Sequence, residues 1–250
     1  MNLILIYFSI KYKGYFYEIY NALKRREFVP IEELEEIERQ LNNKELNAIT
    51  IIDEDYPEEL KQINKPPFVL FYKGNKKLLL ENKLLLTGDF SNPYIENFLN
   101  DSIDEIYKKH ILISNLSKGL DENIINYIIE QNKKIILISS NGLENPYFAK
   151  DIENLPFIKD NFLLLSEYPN NVNINKRRLI ERNRISIGLS KALIIASSNK
   201  ESRILSLVSF ALDQGKEIFC YPGIQTKEDG NNILIQDGAT MITSIKDKIY

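Results

Sequence analysis

Leu84-Leu85-Leu86-Thr87-Gly88 is the stretch on which the fold turns: an unbroken apolar run that stops on a glycine. The theme returns in Ile111-Leu112-Ile113-Ser114, Ile135-Ile136-Leu137-Ile138-Ser139 and Phe162-Leu163-Leu164-Leu165-Ser166. It returns again in Ala192-Leu193-Ile194-Ile195-Ala196 and Glu217-Ile218-Phe219-Cys220-Tyr221. Runs that do not alternate belong to strands covered on both faces. Most are separated by segments long enough for a helix, so the class is α/β with a mostly parallel, doubly wound sheet.

Ligands of such sheets sit beyond the carboxyl ends of the strands. The residues there are Gly88-Asp89-Phe90-Ser91, Asn115-Leu116-Ser117-Lys118-Gly119-Leu120-Asp121, Ser140-Asn141-Gly142, Glu167-Tyr168-Pro169, Ser197-Ser198-Asn199-Lys200 and Pro222-Gly223. Small residues let backbone amides at helix starts approach an anion such as phosphate. They equally suit short strand-to-helix turns.

Upstream of the sheet, the first ~50 residues read as a small helical region. Pro30 followed by Glu32, Glu33, Glu35 and Glu36 is a helix start, continued by Leu34, Ile37 and Leu41. Tyr56-Pro57 opens another helix, and Pro66-Pro67 ends it and forces a short strand from Val69 to Tyr72. The charged segment 75–82 is the expected boundary, giving an N-terminal helical and connecting region at 1–75 and the α/β domain at 76–250.

Of the 250 residues 44% are apolar and 27% charged, enough to bury a core, and the net charge is −3. Nucleic-acid binding would therefore need a local basic patch. One histidine, His110, and one cysteine, Cys220, leave neither a histidine-paired triad nor a multi-cysteine metal centre anything to be built from. His110 reads as a packed or surface residue and Cys220 as a buried small hydrophobe. No G-x-G-x-x-G follows the first strand, so no dinucleotide cofactor is expected, nor any other. With no run near the ~20 residues of a membrane span and no basic segment before the apolar start, the expectation is a cytoplasmic protein without membrane contact.

The patch is in Lys176-Arg177-Arg178-Leu179-Ile180-Glu181-Arg182-Asn183-Arg184, five basic residues in nine positions. On a helix Arg177, Glu181 and Arg184 share one face and Arg178 and Arg182 another. A solvated charged face is the plain explanation. Against it, arginine outnumbers lysine here while lysine dominates elsewhere, and the planar fork of arginine grips phosphate and stacks on bases.

These residues resemble the DprA/Smf (DNA-processing protein A) family. The resemblance runs from Asp55-Tyr56-Pro57 and Pro66-Pro67 through Ser114-Asn115-Leu116-Ser117-Lys118-Gly119-Leu120-Asp121 and Ser166-Glu167-Tyr168-Pro169. It continues with Arg182-Asn183-Arg184-Ile185…Gly188-Leu189-Ser190, Pro222-Gly223 and Gly230-Asn231-Asn232-Ile233-Leu234-Ile235…Gly238-Ala239. It implies an extended Rossmann-like fold, homodimerisation, single-stranded DNA binding, and delivery of that DNA to the RecA recombinase in transformation or recombination. No catalytic residues come with it, so the chain is read as a non-enzyme.

The resemblance carries over Lys118, Arg182, Asn183 and Arg184 as DNA-binding positions, and Gly88 and Gly119 at the strand-end turns and Arg178 in the basic run complete the expected site. Of Arg182 and Arg184, two apart on a helix, one is expected to face the strand-end cleft and the other to bond loop carbonyls. Glu167 reads as a turn or dimer-site acid, having no partner carboxylate or histidine in its motif. Phe90, Tyr147, Phe148 and Tyr168 are candidate stacking platforms for bases, with packing on the domain as the plain alternative.

Departures from the family pattern keep two other readings open. Asp89 stands where the family has an arginine after the first-strand glycine, Asn115 replaces a motif glycine, and Ser202-Arg203-Ile204 stands for Ser-Gly-Ser. One further reading is a protein-interaction scaffold that keeps only the fold. The other is a phosphoribohydrolase-like Rossmann enzyme, on the faint likeness of Pro222-Gly223-Ile224-Gln225-Thr226-Lys227-Glu228 to a phosphate-cradling motif of which two glycines are missing.

Overall fold

The computed structural model describes residues 2–144, 158–224 and 229–245. From the N-terminus the order is α1 (Leu3–Lys11), α2 (Phe16–Lys24), α3 (Ile31–Asn42), β1 (Ala48–Thr50), α4 (Glu58–Lys61) and β2 (Val69–Gly74). Then come β3 (Lys83–Gly88), α5 (Pro93–Ile106), β4 (Ile111–Ser114), α6 (Leu120–Glu130) and β5 (Ile135–Ile138). Next are α7 (Ile158–Asn161), β6 (Phe162–Ser166), α8 (Lys176–Leu189) and β7 (Ala192–Ser197). The order ends with α9 (Ile204–Asp213), β8 (Glu217–Cys220), α10 (Gly230–Gln236) and β9 (Thr240–Met241).

Contacts gather these elements into two compact units, Met1–Lys76 with Ile138–Ile185, and Lys77–Leu137 with Ser186–Tyr250, so far as their residues are described. The first break falls in the charged connector, but 138–185 joins the N-terminal segment instead of the downstream domain. The physical reason is β6, which pairs antiparallel with β2 from Phe71↔Ser166 to Gly74↔Leu163.

Unit 1 also pairs β1 antiparallel with β2. The helices start as their sequences ask: Asn2 accepts from the amides of Ile4 and Leu5, and Pro30 precedes a first turn holding Glu32 and Glu33. Phe8, Ile19 and Ala22 form their core, with Tyr7, Tyr12, Leu23, Val29 and Phe68 against it. The helical reading of the first ~50 residues misses β1. Ala48, Ile49 and Thr50 are all buried, and a three-residue strand carries too little sequence to show a period.

Unit 2 holds a wholly parallel ladder. β4 pairs with β5 and β3, β3 with β7, β7 with β8, and β8 with β9. Counted along this unit alone the strand order is 3-2-1-4-5-6, that of dinucleotide-binding Rossmann sheets. Every residue of β3, β4 and β7 is buried, as continuous apolar runs require. The order reverses between β3 and β7, where a doubly wound sheet opens its crevice.

Candidate nucleic-acid interface

At the switch point of unit 2, β3 and β7 come into register at Gly88↔Ser197, with a shift between Thr87 and Gly88. Gly88 makes room there: a Cβ would stand 2.2 Å from Leu120 Cδ2 and 2.7 Å from Ser197 Oγ, so both side chains would have to shift. Ser197 Oγ accepts from the Phe90 amide at 3.2 Å and donates to the Phe90 carbonyl at 2.6 Å. Asp89 accepts from the Asn199 amide at 2.9 Å and so holds the turn after β7.

The turn after β4 comes to the same place. Gly119 has φ +90°, and a Cβ on it would lie 2.9 Å from the Asp89 carbonyl oxygen, so a side chain fits neither the backbone nor the space. Leu116 also sits at positive φ, and Asn115 is buried and accepts a hydrogen bond from the Ser186 hydroxyl. Lys118 is exposed at the tip of this turn. Thr87 donates to Asp121 Oδ1 at 2.8 Å, fastening the first turn of α6 to the end of β3.

Helix starts differ in how their amides are served. Asn92 caps α5 through the Ile95 amide at 2.9 Å, and Asp229 caps α10 through Asn231 and Asn232. Ser202 Oγ accepts from Ile204 at the start of α9. α6 begins on Gly119, which offers no side-chain acceptor. Its first amides and the exposed Lys118 thus share one strand-end turn, an arrangement that favours an anion.

Beside this turn is a cleft of about 650 Å³ lined by Phe90, Asn92, Tyr94, Ser197, Ser198, Asn199, Lys200, Glu201, Gly223, Asp229 and Asn231 among others. Buried Asn231 ties its floor together. It donates to the carbonyls of Ile195 and Tyr221 at 2.9 and 2.8 Å and accepts from the Ser198 hydroxyl at 2.6 Å. Asn232 closes both polar groups of Gly223 at 3.1 Å. The Gly230-Asn231-Asn232 sequence thus builds the site without being its contact surface. Lys200 and Lys118 are the exposed cations that the two strand-end turns present.

The arginine helix behaves differently from a solvated patch. Arg178, Arg182, Asn183 and Arg184 are buried, at 7%, 5%, 5% and 4% exposure, within unit 1, while Lys176 and Arg177 are exposed. Arg184 Nη1 donates to Glu167 at 2.8 Å, Nη2 reaches the other carboxylate oxygen at 2.5 Å, and Nε donates to the Lys65 carbonyl at 3.0 Å. Burial works against its charge, yet the Glu167 carboxylate more than offsets this and raises its proton affinity. Arg184 therefore does bond a loop carbonyl, and Glu167 is its counter-ion in the folded chain. Arg178 spreads between the rings of Tyr15 and Tyr168, 5.2 and 5.0 Å from their centroids.

The seven positions read from the sequence are therefore divided between the units: Gly88, Lys118 and Gly119 at the strand ends of unit 2, and the four α8 residues inside unit 1. Of the stacking candidates, Phe90 lines the cleft and Tyr168 is buried at 3%. Tyr147, Phe148 and the segment 225–228 lie outside the described residues. Buried Cys220 has its thiol pushed up to about 12, by burial and then by Asp229. Lys200 and Asn231 were legible only as neighbours of strand ends or parts of a motif. Tyr15, far upstream in sequence, carried no signal of its partnership with Arg178.

The family model described as DNA recombination-mediator protein A matches residues 47–250. The chain is 30% identical over 203 residues to the DNA processing protein DprA of Streptococcus pneumoniae, covering 80% of this chain and 72% of that one. It is 31% identical over 207 residues to the DNA processing protein DprA of Bacillus subtilis, covering 81% and 70%. The solved structure of the Streptococcus pneumoniae protein superposes with a TM-score of 0.74 at 25% identity, over 98% of this chain and 92% of that one. DNA processing protein A from Helicobacter pylori, whose structure was described for its unique single-stranded DNA binding mode, gives 0.67 at 26% identity over 80% and 93%.

Proposed function

The chain belongs to the DNA recombination-mediator protein A family, and from that premise we propose that it binds single-stranded DNA without sequence preference and without catalysis. Acting as a homodimer in the cytoplasm, it hands the strand to a RecA-type recombinase. The observation that carries the reading is the strand-end turn of unit 2, where Lys118 stands beside the α6 amides that Gly119 leaves uncapped. A phosphate there meets backbone donors and a cation together, which is the sequence-blind part of nucleic-acid recognition. Lys200 extends the positive edge, and Phe90 offers a ring within the cleft. The Helicobacter pylori relative's described binding mode supports the same ligand class.

Gly88 and Gly119 contribute by letting the turns close, not by touching DNA. Arg178, Arg182, Asn183 and Arg184 enter the proposal as the buried frame of α8. The acid at Asp89 gives no support to a scaffold reading, since its carboxylate is taken up by the Asn199 turn. The test uses Lys118→Glu and Lys200→Glu, both at exposed positions. Each should weaken oligo-dT binding about tenfold and lower the salt slope by about one, with melting temperature unchanged. Wild-type affinity and slope in both variants would remove this turn from the interface. Arg182→Glu cannot serve, because a reversed charge at a buried position tests folding first.

A further inference from the structure

Unit 1 has a cavity of its own, about 350 Å³, which the strand-end reading leaves unused. That is within the range of small-ligand sites, ~300–1,000 Å³. We propose that this cavity is a nucleotide subsite, taking one planar base on its tyrosines and the attached phosphate on Lys65 and Arg177. The nucleotide comes either free or as one residue of a bound strand; only the second form rests on the strand-binding reading.

The walls are set before any ligand arrives. Gly14, at φ +73°, brings the α1–α2 turn so close to the loop after β6 that a Cβ would stand 2.7 Å from the Glu167 carbonyl and 2.8 Å from the Tyr168 ring. Tyr15 follows at once, and Arg178 locks it to Tyr168. The Arg178 guanidinium sits over both rings, donates to the Asn173 carbonyl at 2.5 Å, and meets the Tyr15 hydroxyl at 3.3 Å. Tyr15, the half-buried ring of the two, is held this way and loses little freedom when a base stacks on it, while buried Tyr168 backs it.

The mouth is built from exposed groups. Tyr17 is 56% exposed, with the Lys65 ammonium 5.0 Å from its ring centroid. Arg177, its side chain 64% exposed, lies 5.5 Å from the Tyr15 centroid. An exposed aromatic face flanked by cations is the pairing that single-stranded and mononucleotide ligands use.

The charge balance chooses the same ligand. Glu167 neutralises Arg184 at the floor. The lining then holds the cations Lys65, Arg177 and Arg178 against the carboxylates Glu18 and Glu181. Glu181, half-buried, reaches the exposed Arg177 only at 3.9 Å, a weak hold that a phosphate can displace. A cationic ligand would meet that excess, and a neutral ring would leave the rim cations unused.

The test titrates the full-length chain with thymidine monophosphate by calorimetry and, separately, with labelled oligo-dT by anisotropy. Wild type is compared with Arg177→Glu and Tyr17→Ala, both at exposed positions that leave the core intact. Binding of the mononucleotide, weakened about tenfold in both variants, establishes the free form. No mononucleotide binding, but about tenfold weaker oligo-dT binding in both variants, establishes the strand-borne form. Variants equal to wild type with both ligands overturn the subsite. Wild type that binds the mononucleotide but not oligo-dT sinks strand binding and leaves the subsite standing; binding neither sinks both.

Discussion

Arg184 and Glu167 show what a residue-scale change would do. Both are nine-tenths buried and doubly hydrogen-bonded to each other, and Arg184 also donates to the Lys65 carbonyl. Arg184→Met leaves a buried carboxylate without its partner and should cost about 3–5 kcal/mol, read as a lower urea midpoint at constant slope. Replacing both partners with methionine should cost less than the single change, and an additive result would refute the pairing. At the surface of the helices, Glu27 accepts from Lys11, Tyr12 and Arg25, which hold its carboxyl down to about 2 against an ordinary 4.5. A depressed acid stabilises the fold above its unfolded value and stops doing so as pH falls through its folded value. Carboxyl-resolved NMR should find Glu27 ionised between 4.5 and about 2, and a midpoint near 4.5 would dissolve the cluster. These partnerships were not legible beforehand. The sequence displays the charge of Arg182 and Arg184 but not its direction, so a buried frame and a solvent-facing patch read alike.

Among the elements, the turn into α6 depends on its glycine. Gly119 combines φ +90° with a Cβ position 2.9 Å from the Asp89 carbonyl oxygen. Gly119→Ala should therefore lose about 1–3 kcal/mol, seen in thermal melts, and should displace Lys118. A melting temperature equal to wild type would mean that the turn relaxes freely. Strands were the most legible elements, because burial on both faces writes itself as a continuous apolar run. Direction is not written there. Leu163-Leu164-Leu165 reads like Leu84-Leu85-Leu86, yet β6 pairs antiparallel with β2 in unit 1 while β3 lies in a parallel ladder. Both strands are fully buried, which is all that the runs report.

At the scale of the molecule, alternating runs and helices imply a doubly wound parallel sheet, while the strand order of unit 2, and with it the switch point, is seen only in the fold. The candidate turn was legible to that extent, since Gly88, Gly119 and Lys118 all follow apolar runs. The sharing of 138–185 with the N-terminal segment was not legible, because long-range pairing of β2 with β6 leaves no local period. No helix among the described residues is long and apolar enough to cross a membrane. With a net charge of −3, any affinity for DNA must come from local groups and so must respond steeply to salt. The central claim is single-strand binding, and anisotropy of labelled oligo-dT with the full chain, at two salt concentrations and against a duplex competitor, tests it most directly. Tight binding that weakens with salt and resists the duplex is the result expected; no binding at low salt, or equal displacement by duplex, would contradict it.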